Sequence, residues 1–161
     1  MTATPERPLQ IGFTGTRAGL TDDQARVVRS LLHGFHRHQG ARTFHHGDCV
    51  GADDQAATIA HELGYRVVVH PPTNRRLRAW AYCDESRPPR RYLVRNRAIV
   101  VESDRLIGCP DTAEPRQGAG SGTWSTIHAA GRMQRPVNVV APDGHLLDIP
   151  LFPEAGAVTR R

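Results

Sequence analysis

The sequence predicts a single α/β domain with a mostly parallel sheet of about five strands. Three observations predict it. Short apolar runs alternate with segments of helical period from end to end of the chain. Val67-Val68-Val69 is an unbroken β-branched run, the pattern of a strand buried on both faces. Glycine-bearing turns stand where strands pass into helices.

The elements follow in order. Leu9 to Thr14 reads as a first strand, stopped at Gly15-Thr16-Arg17. Thr21-Asp22-Asp23-Gln24 fits a capping box, and Val27, Val28, Leu31, Leu32 and Phe35 continue at helical spacing, so a helix runs from about Asp22 to Gln39 and ends at Gly40. Thr43 to His46 is a second strand, Ala52 to Leu63 a second helix closed by Gly64, and Arg66 to His70 a third strand ended by Pro71-Pro72. A helix from about Arg91 to Glu102, a strand from Arg105 to Cys109, a helix from about Thr123 to Met133 and a strand from Pro136 to Ala141 complete the pattern. Strand–helix alternation implies right-handed crossovers with helices on both faces, a Rossmann-like three-layer sandwich. Residues 1–8 and 151–161 read as tails around one Rossmann-like domain over 9–150.

Composition narrows the class. With 161 residues, 39% hydrophobic and 23% charged, the chain suits one globular core. No apolar run approaches a membrane span and the N-terminus lacks an apolar signal region, so a cytoplasmic location is expected. Cys49, Cys83 and Cys109 are scattered and form no CxxC pair, so neither a disulfide framework nor a cysteine zinc site is suggested. All 21 basic residues are arginine, and eight of them crowd residues 75–97 against only Asp84 and Glu85. That stretch reads either as a solvated loop or as a phosphate-binding one, since the guanidinium fork donates bidentately.

Three loops at one strand edge are candidates for ligand contact, because ligands of open α/β sheets bind there. Thr14, Gly15, Thr16 and Arg17 offer a tight turn with anion donors, or a plain βα turn. Gly47 and Gly51 flank Asp48 and enter a helix at Asp53. Asp53 is either an N-terminal helix acid or a group that binds ribose or serves catalysis, and Asp48 shares that ambiguity. Gly120, Ser121, Gly122 and Thr123 open a helix whose free amides suit a phosphate. The last loop lacks the lysine of a Walker loop, and no cofactor is implied.

Together these loops resemble the SLOG superfamily, the Rossmann-like group that includes DNA-processing protein A and the "Lonely guy" phosphoribohydrolases. The resemblance spans about Ile11 to Ala141. Gly12 to Arg17 resembles the first-strand loop, and His46 to Asp53 the G-x-x-x-G-[AI]-D signature. Arg95-Asn96-Arg97 resembles the RNR segment, and Gly120 to Trp124 the phosphate loop in the GTW form of the YspA-like branch. The resemblance implies nucleotide binding, with Arg95, Asn96 and Arg97 near the ligand, and pairing into a homodimer. The phosphoribohydrolases carry a glutamate shortly after the GT pair. This chain has Ser125 and Thr126 there, and no acid between Glu114 and Asp143.

The remaining chemistry-bearing residues read more plainly. His45 and His46 are adjacent on a strand and point to opposite faces, so they cannot share an ion, and no metal is expected. Trp80 and Tyr82 either stack on a base or pack their loop onto the domain, and Trp124 reads as core. The expected function is binding of a nucleotide or nucleotide-derived phosphate ligand, as sensor or carrier. The alternatives are an N-glycosidic hydrolase using Asp48 or Asp53, and a single-stranded nucleic-acid binder whose affinity falls steeply with salt.

Overall fold

The computed structural model describes residues 7–116 and 122–148. The tails expected at 1–8 and 151–161, except Arg7 and Pro8, lie outside the described residues, as do Gly120 and Ser121.

Among the described residues, seven strands form one sheet in the order β4-β3-β2-β1-β5-β6-β7. They are β1 (Leu9–Gly15), β2 (Ala41–His46), β3 (Arg66–Val69), β4 (Glu85–Ser86), β5 (Arg105–Cys109), β6 (Val137–Val140) and β7 (Leu146–Leu147). All neighbours pair parallel except β6 and β7. The five strands read from the sequence are present. β4 and β7 are additions of two residues each at the sheet's edges, too short to carry a period.

Helices α1 (Asp22–Gln39) and α2 (Ala52–Glu62) cover one face, and α3 (Tyr92–Glu102) and α4 (Gly122–Arg132) the other. The strands alternate accordingly. Ile11, Phe13, Phe44 and Ile107 join the core under α1 and α2, whereas Leu106 packs with Ile99, Trp124 and Ile127 under α3 and α4. The capping box of α1 forms as read: the Thr21 hydroxyl accepts from the Gln24 amide at 3.0 Å, and Gln24 Oε1 accepts from the Thr21 amide at 3.1 Å.

Strand order reverses beside β1, between β2 and β5. Above that point the connections from β2 and from β5 run to opposite faces and leave a crevice. Two loops are latched together on its floor. Thr16 accepts from the Ala52 amide at 3.1 Å, so the first loop's carbonyl caps α2, which has no side-chain cap of its own. Gly51 sits at φ +93°, and a Cβ there would lie 2.6 Å from the Arg17 carbonyl carbon. Only glycine meets both conditions.

Gly51→Ala is therefore expected to cost about 2–3 kcal/mol or more, because a methyl group meets unyielding backbone at a strained φ. Gly34→Ala, inside α1 with nothing within 4 Å of its Cβ, is expected to stabilise by about 0.5–1 kcal/mol. Paired urea or thermal unfolding of the two variants checks the contrast.

Candidate functional site

The crevice at the reversal is narrow, about 30 Å³, and its walls come from five elements. β1 and its loop give Thr14, Gly15 and Arg17; the loop after β2 gives Gly47 and Cys49; α2 gives Asp53; α3 gives Tyr92, Arg95 and Asn96; α4 gives Thr123. Gly15 is held against α2, where an added Cβ would lie 2.6 Å from that of Ala52.

Arg95 is the centre of the site. It is 2% exposed on the inner side of α3. Its Nη1 donates to the Gly47 carbonyl and, at 3.2 Å, to that of His70. Its Nε donates to Asn96 Oδ1 at 2.7 Å, and its Nη2 to Cys49 Sγ at 3.5 Å. Four of the five guanidinium hydrogens are thus placed among the described residues, leaving one for a ligand. Gly47 has no side chain because Arg95 fills that space: a Cβ would lie 2.8 Å from the guanidinium carbon.

Asp53 is buried at the start of α2. Its Oδ2 accepts from the Gly47 amide at 3.1 Å and the Cys49 amide at 3.2 Å, which pins the loop after β2. Burial raises its pKa from 3.8 to about 6, against the charge of Arg95 and the two amides, which favour the carboxylate. The Cys49 thiol is pushed up by burial and by Asp53, so it is not a ready nucleophile.

Tyr92 closes the crevice. Its ring lies 5.9 Å from the Arg17 guanidinium and 5.2 Å from that of Arg95, and it fills the space above Gly122. Arg17 is exposed and has no carboxylate partner among the described residues. The sequence reading missed Tyr92; the available signal was an aromatic residue between Arg91 and Arg95 at a helix start.

Other residues singled out from the sequence lie elsewhere. Asp48 is fully buried but turns away from the crevice at φ +53°. Its Oδ2 accepts from Arg78 Nε at 2.8 Å and its Oδ1 from the Ala81 amide at 3.0 Å, so it anchors the arginine-rich loop and is not placed for catalysis. Arg97 is exposed on the far side of α3, because two residues along a helix turn the side chain by about 200°. Thr16 supports the first turn, its hydroxyl accepting from the Ala18 amide, and Gly51 serves the latch. Trp80 stacks under Arg78 at 3.8 Å, Tyr82 lies on His61, and Trp124 is core; none lines the crevice.

The larger cavity, about 290 Å³, lies on the other flank of α3 and shares Arg95 with the crevice. His70, Arg87, Arg90, Arg97 and Glu102 surround it. Three histidines near this end of the sheet are kept neutral by burial: His45 and His70 are lowered to about 4, and His46 to about 3.

Among solved structures the chain is similar in fold to the molybdenum cofactor binding protein of Rippkaea orientalis, at TM-score 0.64 and 22% identity over 84% of this chain and 78% of that one. The molybdenum cofactor carrier protein of Chlamydomonas reinhardtii matches at 0.56 and 19%, over 83% and 76%. DNA processing protein A of Streptococcus pneumoniae matches at 0.61 and 22%, over 88% of this chain but only 52% of that one. The fold implied by the SLOG resemblance is therefore the fold found. No family model matches the chain, and no curated protein matches it in sequence. Among the described residues, no helix is long and apolar enough to cross a membrane.

The buried titratable groups give a signed expectation. The histidines' folded pKa values lie below 6.5, so their contribution to stability is present above 6.5 and lost as pH falls toward 4. That of Asp53 has the opposite sign: it is present below 3.8 and lost as pH rises through about 6. Three histidines outweigh one aspartate, so stability declines on acidification from pH 6 toward 4. Asp53→Asn removes the opposing contribution and steepens the decline. Urea midpoints across that range measure both slopes, and a shallower slope in the variant contradicts the assignment.

Proposed function

We propose that this chain binds a phosphorylated small ligand at the crevice, as a carrier or sensor, with a nucleotide as the first candidate. The observation that carries the reading is convergence. Two guanidiniums, Arg17 and Arg95, and the first turn of α4 meet at the point where strand order reverses. A helix N-terminus and arginine forks are the donors that phosphate recognition uses. The narrow crevice admits the phosphate end, and the Tyr92 ring at its mouth offers a face to the rest of the ligand. Gly120 and Ser121 belong to this proposal by sequence position, adjoining Gly122.

Holding is favoured over hydrolysis. Asp53 is the one carboxylate among the described residues lining the crevice, and one of its oxygens is engaged by two backbone amides. The first turns of α4 bring no acid. The molybdenum cofactor is a second candidate ligand, favoured by the two similarly folded proteins that bind or carry it. It too is a phosphorylated ring system, so the same donors serve it.

Arg17 tests the reading, because it is exposed and its loss spares the core. Arg17→Ala is expected to weaken adenosine monophosphate binding about tenfold or more, the worth of a charge-assisted hydrogen bond. Adenosine affinity should change little. Calorimetric titration of both ligands decides it: equal losses, or none, contradict phosphate recognition at this arginine. Incubation with nucleoside monophosphates is expected to release no free base, and multiple turnovers would put the hydrolase first.

A further inference from the structure

The register of β2 and β3 brings together residues that stand far apart in sequence. His45 pairs with Val68 and His46 with Val69 in the parallel ladder. The His70 amide extends that ladder to the His46 carbonyl at 2.8 Å, which sets the His70 ring beside that of His45 on the α3 face. Glu102, the last residue of α3, reaches the same point. His45 Nδ1 and Glu102 Oε2 lie 2.9 Å and 3.2 Å from His70 Nε2. Ligand atoms of all three residues lie within 4.8 Å of one another.

The surroundings orient each of them. His45 Nε2 is 2.6 Å from Gln10 Oε1, an acceptor, so the imidazole hydrogen resides there and Nδ1 presents a lone pair inward. Arg87 donates to both oxygens of Glu102, at 3.0 and 3.2 Å, and also bonds Glu85. His70 Nε2 therefore faces two acceptors with at most one hydrogen. The cluster holds more lone pairs than protons around one point, and a cation completes such an arrangement. A ring nitrogen turned outward to a carbonyl oxygen, and a carboxylate held by a guanidinium, are the outer partners that orient metal ligands.

We propose that His45, His70 and Glu102 form a site for a first-row divalent cation of the zinc class. Two imidazoles and one carboxylate suit zinc, cobalt or ferrous iron and not magnesium or calcium, which take oxygen ligands. Ligand–metal distances of about 2.0–2.2 Å require His70 Nε2 to part from His45 Nδ1 and Glu102 Oε2 by only a few tenths of an ångström. Three protein ligands leave a position open, and His70 and Glu102 line the 290 Å³ cavity, so that position faces space a small molecule can enter. The site stands apart from the phosphate crevice, and its test uses no phosphorylated ligand.

Cobalt(II) is the probe, titrated into the full chain and followed by visible absorption. One equivalent is expected to bind with the intense band of a four- or five-coordinate site, and zinc is expected to displace it. Glu102→Gln and His70→Ala should each weaken binding by at least about tenfold, and Gln10→Ala, which removes only an outer partner, by about 10–100-fold. Circular dichroism melts establish that each variant is folded. Glu102 is only partly buried and Gln10 lies near the surface, so these two keep the test decisive if His70→Ala unfolds. No band, or a band that survives both Glu102→Gln and Gln10→Ala at full affinity, overturns the site and assigns the metal to surface histidines.

Discussion

The burial of one guanidinium organises the carboxyl edge of this sheet. A charge at 2% exposure is tolerable only where its hydrogens find acceptors, and Arg95 finds them in three elements at once. Two of its acceptors are main-chain carbonyls, those of Gly47 and His70, so Arg95 fixes backbone and not merely side chains. Asp53 reaches the same side of the Gly47 loop, holding the Gly47 and Cys49 amides while Arg95 holds the Gly47 carbonyl. The loop between β2 and α2 is thereby held through its amides and its carbonyl alike. A lysine could not do this, for a single ammonium cannot reach acceptors spread along a plane.

That grip sets what the neighbouring glycines must be. Gly47 is bare because the guanidinium occupies its side-chain space, and Gly51 is bare because the first loop's carbonyl occupies its own. Gly15 lies against the start of α2 for a similar reason. At Gly51 the two loops are thus packed main chain to main chain. Close approach of this kind is what allows a ligand to meet amides and helix termini directly, with no side chains held between them.

Much of this was legible in the sequence, and the illegible parts share a cause. The capping box of α1, the β-branched run of β3 and the glycine that ends α1 are local signals, and each element formed where its signal stands. The loops around Thr14, Gly47 and Thr123 meet at one edge because parallel topology requires it. Asp48 misled, since its acceptor is satisfied by Arg78, thirty residues away, and the motif around it shows nothing of that pairing. Tyr92 was missed because its place depends on how α3 turns above the crevice. The His45–His70 contact depends on strand register, which a sequence specifies only through the completed sheet.

The third helix joins these two outcomes. Arg95 points inward to the crevice, while Arg97, Ala98 and Val101 turn toward the second cavity and Glu102 closes its end. Arg95 touches both, and the His70 carbonyl that it holds belongs to the residue whose ring meets His45 and Glu102. A displacement of α3 that withdrew Arg95 from Gly47 would also withdraw it from His70 and draw Glu102 away from the histidines. The two cavities therefore share one wall, and the seating of α3 shapes both.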